Sequence, residues 1–129
     1  MIDALTHVLN ADERVRYALL FGSRATGRSH PRSDVDVAVA LSGDAGLDAL
    51  LALASRLEGA AGGLRVDLVD LDRAGPVLAF RVFRDGRLLL CRDRTAFVER
   101  KARAISLYLD FRPVQERLVS GALEAARGR

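Results

Sequence analysis

Two aspartates stand one residue apart at the start of a strongly apolar run, and no other feature restricts the fold of this chain as much. Asp34 and Asp36 introduce a run that continues to Leu41. Alternate side chains of a β-strand share a face, so both carboxylates should point one way while Val35 points the other. Charge in so apolar a strand is costly unless it is neutralised. The pair therefore predicts a bound cation, and Mg²⁺ prefers such oxygen ligands.

A Gly-Ser pair ends the preceding apolar run, which covers residues 15–21. Glycine lets the backbone approach a phosphate closely, and free N–H groups at a helix start favour anions. Gly22 and Ser23 therefore form a candidate phosphate-binding corner. We count Arg24 and Ser33 with them as candidate nucleotide-binding residues. The sequence contains neither a P-loop nor a G-x-G-x-x-G motif.

A third aspartate, Asp67, lies between two apolar residues and inverts the usual pattern of a core strand. It is interpreted either as the partner of Arg65 or another arginine in an ion pair, or as a third metal ligand. Asp70 and Asp72 compete for the ligand role but lie towards the exit of the strand. Three carboxylates beside a phosphate corner favour phosphoryl or nucleotidyl transfer, with Asp67 able to accept a proton from the acceptor hydroxyl.

The hydrophobic periodicity predicts an α/β (α+β) fold, a small mixed sheet flanked by helices with further helices at the C-terminus. Helices are expected over residues 3–10, 47–57, 76–83 and 94–111, and strands over 15–21, 34–41, 64–68 and 87–91. A short helix should begin at Ser23, and Asp93 should cap the long helix. Pro113 should start a separate C-terminal helix. The strand-helix-strand succession between residues 34 and 68 predicts a parallel strand pair.

Length and composition limit the classes of function. The 129 residues suffice for one domain, residues 1–129, without a separate acceptor-binding domain. The basic residues are almost all arginine and are scattered, so direct binding of nucleic acid is not expected. Cys91, the only cysteine, follows three leucines and is expected to be a buried thiol in a reducing cytoplasm. Neither a signal peptide nor a membrane span is expected.

The sequence resembles the minimal nucleotidyltransferases of the DNA polymerase β superfamily. Their signature is Gly-Ser, ten residues and Asp-x-Asp, which Gly22-Ser23 and Asp34-Val35-Asp36 match without a gap. The segment 66–71 resembles the family segment that bears a third carboxylate, which corresponds to Asp67. Segments 83–91 and 107–111 resemble later family blocks with lower specificity. Within the family the chain is most similar to MntA-type antitoxins, which are paired with HEPN ribonuclease toxins.

This resemblance implies a magnesium-dependent transfer of AMP from ATP to a tyrosine hydroxyl of the toxin, which silences its ribonuclease site. Asp34, Asp36 and Asp67 would be both the catalytic residues and the metal ligands. It also implies a hetero-oligomer with the toxin. A tyrosine hydroxyl has a pKa near 10, so it needs a base or a metal to become a nucleophile.

Two alternatives remain open at this stage. One is nucleotide transfer to a small molecule such as an aminoglycoside, although enzymes of that kind usually carry an additional domain. The other is a non-catalytic antitoxin that covers its toxin with the apolar surplus of the helix expected over residues 94–111. Arg24 and His30 superficially imitate the arginine-histidine motif of the toxins, but they span a loop, so we interpret His30 as a solvated loop residue.

Overall fold

The structure is a computed structural model that describes residues 1–28, 33–43 and 45–127, with the side chains of 112–116 and 126–127 left undescribed. His30 therefore lies outside the described residues. The helices are α1 (Ile2–Ala11), α2 (Leu47–Ala60), α3 (Pro76–Asp85) and α4 (Arg94–Arg127). The strands are β1 (Val15–Phe21), β2 (Val35–Leu41), β3 (Val66–Asp70) and β4 (Arg87–Cys91).

The four strands form one mixed sheet in the order β3-β2-β1-β4. Strands β2 and β3 are parallel, while β1 is antiparallel to both β2 and β4. The predicted mixed sheet and parallel pair are therefore confirmed. Strand β3 lies two residues later than the predicted 64–68, because a turn with positive φ at Gly62 and Gly63 still separates it from α2.

The two faces of the sheet are covered by different helices. Alternate β2 residues Val35, Val37 and Val39 pack with the buried leucines of α1 and α2. Ala38 and Ala40 face the opposite way, into a core formed with side chains of α3 and α4. Asp36 has the same parity as Ala38, so it lies on the α3/α4 face, at the end of β2 that this second core leaves uncovered.

The C-terminal part of the chain is one helix rather than the two that were predicted. Asp93 caps it as expected, since its Oδ1 accepts a 3.0 Å hydrogen bond from the backbone N–H of Ala96. Helix α4 then continues without a break through Pro113 to Arg127. A proline inside a helix removes one backbone hydrogen bond and typically costs about 3 kcal/mol, so the prediction of a break followed the usual rule.

Much of α4 carries apolar side chains that the rest of the chain does not cover. All of residues 117–125 are exposed. The large exposed apolar residues of α4 are Val98, Ile105, Leu107, Leu109, Phe111, Leu118, Val119 and Leu123. None of the described helices combines the length and the hydropathy of a membrane span.

Cys91 departs from its predicted environment. It is half-buried at the end of β4, where it packs against the α3/α4 core. Its edge strand has a neighbour on one side only, which leaves the thiol partly uncovered.

A buried ion cluster fastens the loop between α1 and β1. Asp12 is only 6% exposed and accepts hydrogen bonds from Arg14 Nε at 3.0 Å and from Arg56 Nη2 at 2.8 Å. These bonds, chiefly those from Arg14, hold the pKa of the Asp12 carboxyl at about 2. Arg92 donates to the backbone carbonyl of Asp12 at 2.8 Å, so α1, α2 and the end of β4 meet at this residue.

We predict that Asp12→Asn destabilises the protein at neutral pH by roughly 1 to 2 kcal/mol, a range that allows for the partial exposure of both arginines. The folded pKa of about 2 lies below the unfolded value of 3.8, so this stability is present above the unfolded value and disappears as the pH falls through about 2. Denaturant unfolding curves at neutral and acid pH measure the difference.

The matched control is Asp85→Asn, which removes an ion pair of the same 2.8 Å length, with Arg84, on the exposed surface. Exposed pairs contribute little, so this variant should lower the free energy of unfolding much less than Asp12→Asn does. Equal losses in the two variants would contradict the role assigned to Asp12.

Candidate active site

The parallel pairing of β2 and β3 brings two of the three predicted carboxylates side by side. Asp36 is the register partner of Asp67. Registered residues on neighbouring parallel strands share a face, and adjacent strands lie about 4.8 Å apart. The side chains of Asp36 and Asp67 therefore project from the same face of the sheet. This placement follows from the register, which the sequence alone does not specify.

The Gly-Ser corner reaches the same place from β1. Phe21, the last residue of β1, is the register partner of Asp36, so Gly22 follows directly beside that carboxylate. Gly22 has a φ of +73°, and a Cβ added there would lie 2.3 Å from Asp36 Oδ2. Any side chain at this position would collide with the carboxylate. Glycine at residue 22 therefore suits the positive φ of the backbone and leaves the Asp36 carboxylate in its position.

The corner is shorter than the predicted helix from Ser23 to about Gly27. A single 3₁₀ turn covers Gly22–Arg24, and further turns lead to Gly27. One turn aligns too few peptide dipoles to attract an anion strongly. A phosphate at this corner would depend on the local backbone N–H groups and on the hydroxyl of Ser23, which is half-buried here.

The electrostatic environment of Asp36 disfavours its charged form. Burial raises the pKa of the Asp36 carboxyl, and the negative charges of Asp67 and then Asp34 raise it further. Asp34 precedes β2 and is exposed, whereas Asp36 is half-buried. The three predicted carboxylates are therefore close enough to repel one another. A cation placed among them would relieve this repulsion.

Arg24 and Ser33 have a positional role that the sequence does not reveal. Arg24 donates from Nε and Nη2 to the backbone carbonyl of Ser33, at 3.1 and 2.7 Å. This paired contact joins the 3₁₀ turn to the residue immediately before Asp34. It ties together the two ends of the connection that separates the Gly-Ser corner from the carboxylates.

The donor set of this face suits Mg²⁺ as an open site. The part of the chain that the structure describes contains no cluster of three His, Cys, Asp or Glu side chains close enough to enclose a metal ion. Mg²⁺ is usually held by one or two carboxylates together with substrate phosphates, rather than by a closed cage of protein ligands. Asp36 and Asp67, with Asp34 nearby, fit that arrangement, in which a nucleotide supplies further oxygen ligands.

The competing interpretations of the β3 aspartates can now be compared. Asp67 is exposed, and no ion pair joins it to Arg65 or to any other described arginine. Asp70 has the opposite parity and lies at the far end of β3, where it forms an ion pair with Arg73 at 3.7 Å. Its Oδ1 also accepts a hydrogen bond from the backbone N–H of Asp72 at 3.0 Å. Only Asp67 therefore joins the Asp36 face.

A cavity of about 230 Å³ adjoins the corner, and its α3 wall is a feature that sequence reasoning missed. Phe21, Gly22 and Thr26 line one side, and Leu78 and Arg81 of α3 line another. Nothing in the spacing of the α3 residues distinguishes them from ordinary helix surface. The topology alone brings α3 over the end of β1.

A family model described as polymerase beta nucleotidyltransferase matches residues 3–95. The chain belongs to this nucleotidyltransferase family. The nucleotidyltransferase fold and enzyme class predicted from Gly22-Ser23 and Asp34-Val35-Asp36 are therefore confirmed. Among the curated proteins, none is significantly similar to the sequence of this nucleotidyltransferase.

Solved structures of similar fold come from this family and from toxin-antitoxin complexes. A chain from a toxin-antitoxin crystal structure with AMP-PNP is 26% identical, with a TM-score of 0.81 over 95% of this chain and 98% of its own length. A protein described as a minimal nucleotidyltransferase is 32% identical, with a TM-score of 0.54 over 67% of this chain and 86% of its own length.

A third structure shows the same fold at lower identity. It contains a tri-AMPylated Shewanella oneidensis HEPN toxin in complex with an MNT antitoxin. The matched chain is 23% identical, with a TM-score of 0.74 over 95% of this nucleotidyltransferase and 99% of its own length.

We predict that Gly22→Ala abolishes nucleotidyl transfer while the protein stays folded. The new Cβ must displace the Asp36 carboxylate, and an L-residue with φ near +73° costs about 1 kcal/mol. Transfer should fall at least about 100-fold, the scale on which a misplacement of about 1 Å slows catalysis. Nucleotide transfer and thermal unfolding of the same preparation measure the two effects.

Gly27→Ala is the matched control. Gly27 has a φ of +75°, and a Cβ there would meet no described atom within 4 Å. This variant should lose a similar amount of stability and retain nucleotidyl transfer. A Gly22→Ala enzyme as active as Gly27→Ala would contradict the importance of the contact between residue 22 and Asp36.

Proposed function

We propose that this nucleotidyltransferase is an antitoxin that transfers AMP from ATP to a tyrosine hydroxyl of a cognate HEPN ribonuclease toxin, in a magnesium-dependent reaction. The observation that carries the proposal is the convergence of Asp36, Asp67 and the Gly22 corner on one face of the sheet. The similar chain from a toxin-antitoxin structure with AMP-PNP supports an adenine nucleotide as the substrate. The structure that contains a tri-AMPylated HEPN toxin supports a HEPN toxin as the acceptor.

Each residue of the site has a defined role in this reaction. Asp34 and Asp36 are metal ligands, and Asp67 is the third ligand and the group that accepts the proton of the tyrosine hydroxyl. Gly22 and Ser23 bind a phosphate of ATP through backbone N–H groups and the serine hydroxyl. Mg²⁺, when bound, neutralises charge on the phosphates and on the three carboxylates.

Arg24 and Ser33 act in this reaction by position. The guanidinium of Arg24 holds the carbonyl of Ser33, the residue immediately before Asp34, so it anchors the backbone from which Asp34 projects. A fixed arrangement of the carboxylates before the nucleotide arrives lowers the entropic cost of catalysis. We therefore assign Arg24 and Ser33 to the support of the nucleotide site.

We infer a protein acceptor from the large apolar side chains that α4 leaves exposed. A toxin that docks on its own supplies the missing binding energy. The exposed apolar residues of α4 are the surface that we assign to this docking, in a hetero-oligomer within the cytoplasm.

The same apolar surface supports a second candidate function, neutralisation of the toxin by coverage alone. Phe111 and Leu118 follow the buried Ala104 at intervals of seven residues, about two helical turns, so all three lie near one face of α4. Phe111 and Leu118 are nevertheless exposed, at 36% and 68%. A partner that covers this helix could be inhibited without any chemistry at the carboxylates. The two functions differ in whether neutralisation requires Asp36 and Asp67.

We predict that incubation with ATP, Mg²⁺ and the cognate toxin adds AMP to a toxin tyrosine, detected as a mass increase of the intact toxin and located by peptide mass spectrometry. Asp67→Asn should reduce the transfer about 100-fold or more, because it removes a proton acceptor and one metal ligand. Asp70→Asn is the matched control: it lies on the same strand but on the opposite face, so transfer should persist.

Growth rescue in cells that express the toxin distinguishes the two candidate functions. If AMP transfer neutralises the toxin, the double variant Asp34→Asn, Asp36→Asn fails to rescue growth although it still binds the toxin. Full rescue by that variant would favour coverage over catalysis. AMP transfer to a free hydroxylated compound in the absence of a toxin would instead point to a small-molecule acceptor.

A further inference from the structure

A second polar cavity lies at the opposite end of β1 from the Gly22 corner. Its volume is about 240 Å³, and its charged and hydroxyl-bearing lining residues are Arg16, Tyr17, Asp72, Glu99, Arg100 and Arg103. Tyr17 is the register partner of Ala40, whereas Phe21 is the register partner of Asp36. Four strand residues span roughly 13 Å, so this cavity is separate from the carboxylate site.

Arg100 is the unusual member of this lining because it is buried without enough acceptors. It is 9% exposed, and only its Nη2 has a partner, the backbone carbonyl of Leu71 at 2.9 Å. Its Nε and Nη1 are closed to solvent and have no acceptor among the residues that the structure describes. The ring of Phe83, whose centroid is 6.0 Å from the guanidinium carbon, attracts the cation but accepts no in-plane N–H bond.

A buried cation with unused donors is costly, because each unmet hydrogen bond forfeits its solvation. Glu99 and Asp72 line the same cavity but form no ion pair with the Arg100 guanidinium in the described chain. Two negative charges are therefore available, yet neither meets the free nitrogens of Arg100. A buried guanidinium with two unpaired donor nitrogens indicates that a hydrogen-bond acceptor is missing from the cavity.

The other donors around the cavity converge on an anion. Burial, and then the charge of Asp72, raises the pKa of Tyr17 to about 12, so its hydroxyl remains a donor at neutral pH. Arg16 and Arg103 add two further guanidinium groups to the lining, although Nη2 of Arg16 already donates to Asp93 Oδ2 at 3.3 Å. Three guanidinium groups and a hydroxyl offer more donors than the two oxygens of a carboxylate can accept, whereas a phosphate presents three or four oxygens.

We propose that this cavity binds a phosphate group, from either inorganic phosphate or a phosphate monoester, on the Nε and Nη1 of Arg100. Arg103 lies three residues after Arg100 on α4, is exposed and supplies charge at the entrance. Binding requires a local rearrangement of the lining, because Nε and Nη1 of Arg100 are closed to solvent. No bond is made or broken, so this is a binding site that acts independently of the transfer chemistry.

Thermal unfolding of the full chain in a titration with inorganic phosphate, against sodium chloride of equal ionic strength, tests the proposal. Phosphate at about ten times its dissociation constant should raise Tm by roughly 5 °C, whereas chloride should not. Arg103→Gln should remove at least half of the phosphate-dependent shift and leave Tm without phosphate nearly unchanged. Lys101→Gln, which changes an exposed cation outside this cavity on the same helix, should keep the full shift.

A second pair of measurements keeps the result independent of the carboxylate site. Gly22→Ala, which blocks the phosphate corner, should keep the phosphate-dependent shift. If the phosphate-dependent shift in Tm is lost in Gly22→Ala and retained in Arg103→Gln, the phosphate binds at the corner and the proposal is wrong. An equal shift in Tm with sodium chloride would also overturn the proposal. A parallel titration with AMP distinguishes the two sources: an Arg103-dependent shift with AMP identifies a phosphate monoester, and a shift with inorganic phosphate alone identifies the free ion.

Discussion

The approach of the Asp36 carboxylate to the backbone of Gly22 is the contact on which the site depends. A Cβ at residue 22 would come within 2.3 Å of Asp36 Oδ2, so any side chain there would force the carboxylate out of its position. The carboxylate is also half-buried and adjacent to two further negative charges, which raise its pKa. The fold therefore places a carboxylate whose charged form is disfavoured directly beside a residue that has no side chain. This arrangement favours the binding of a cation and a phosphate at the same point. Stability is lost there so that binding can be gained.

The mixed topology of the sheet explains where this site lies. In purely parallel open sheets, ligands bind beyond the carboxyl ends of the strands. Here Asp36 and Asp67 are the second residues of the parallel strands β2 and β3, so the site lies at their amino ends. Strand β1 runs antiparallel to β2, and its carboxyl end therefore delivers the Gly-Ser corner to the amino end of β2. The crossover through α2 brings the two carboxylates together, and one reversed strand adds the backbone corner to them.

The sequence predicted those features that depend on short-range pattern. The bounds of β1 and β4, the cap at Asp93 and the Gly-Ser and Asp-x-Asp motifs all follow from neighbouring residues, and the family match agrees with them. Register and long-range packing could not be predicted in this way. Which aspartate of β3 faces Asp36 depends on pairing between strands about 30 residues apart, and the bond from Arg24 to Ser33 joins residues that the local sequence pattern does not link. The continuity of α4 through Pro113 likewise overrides a local rule.

Helix α4 connects the small size of the domain to its surplus of apolar surface. The first part of the helix packs against the sheet, and Ala104 is buried there in the α3/α4 core. Beyond it, Leu118, Val119 and Leu123 are 68%, 57% and 53% exposed, and covering each would stabilise the chain by roughly 1 to 2 kcal/mol. An interior proline adds a cost of about 3 kcal/mol to the same helix. A partner that covers the exposed part of α4 would offset both costs, which is the best explanation for a helix that extends so far beyond its own core.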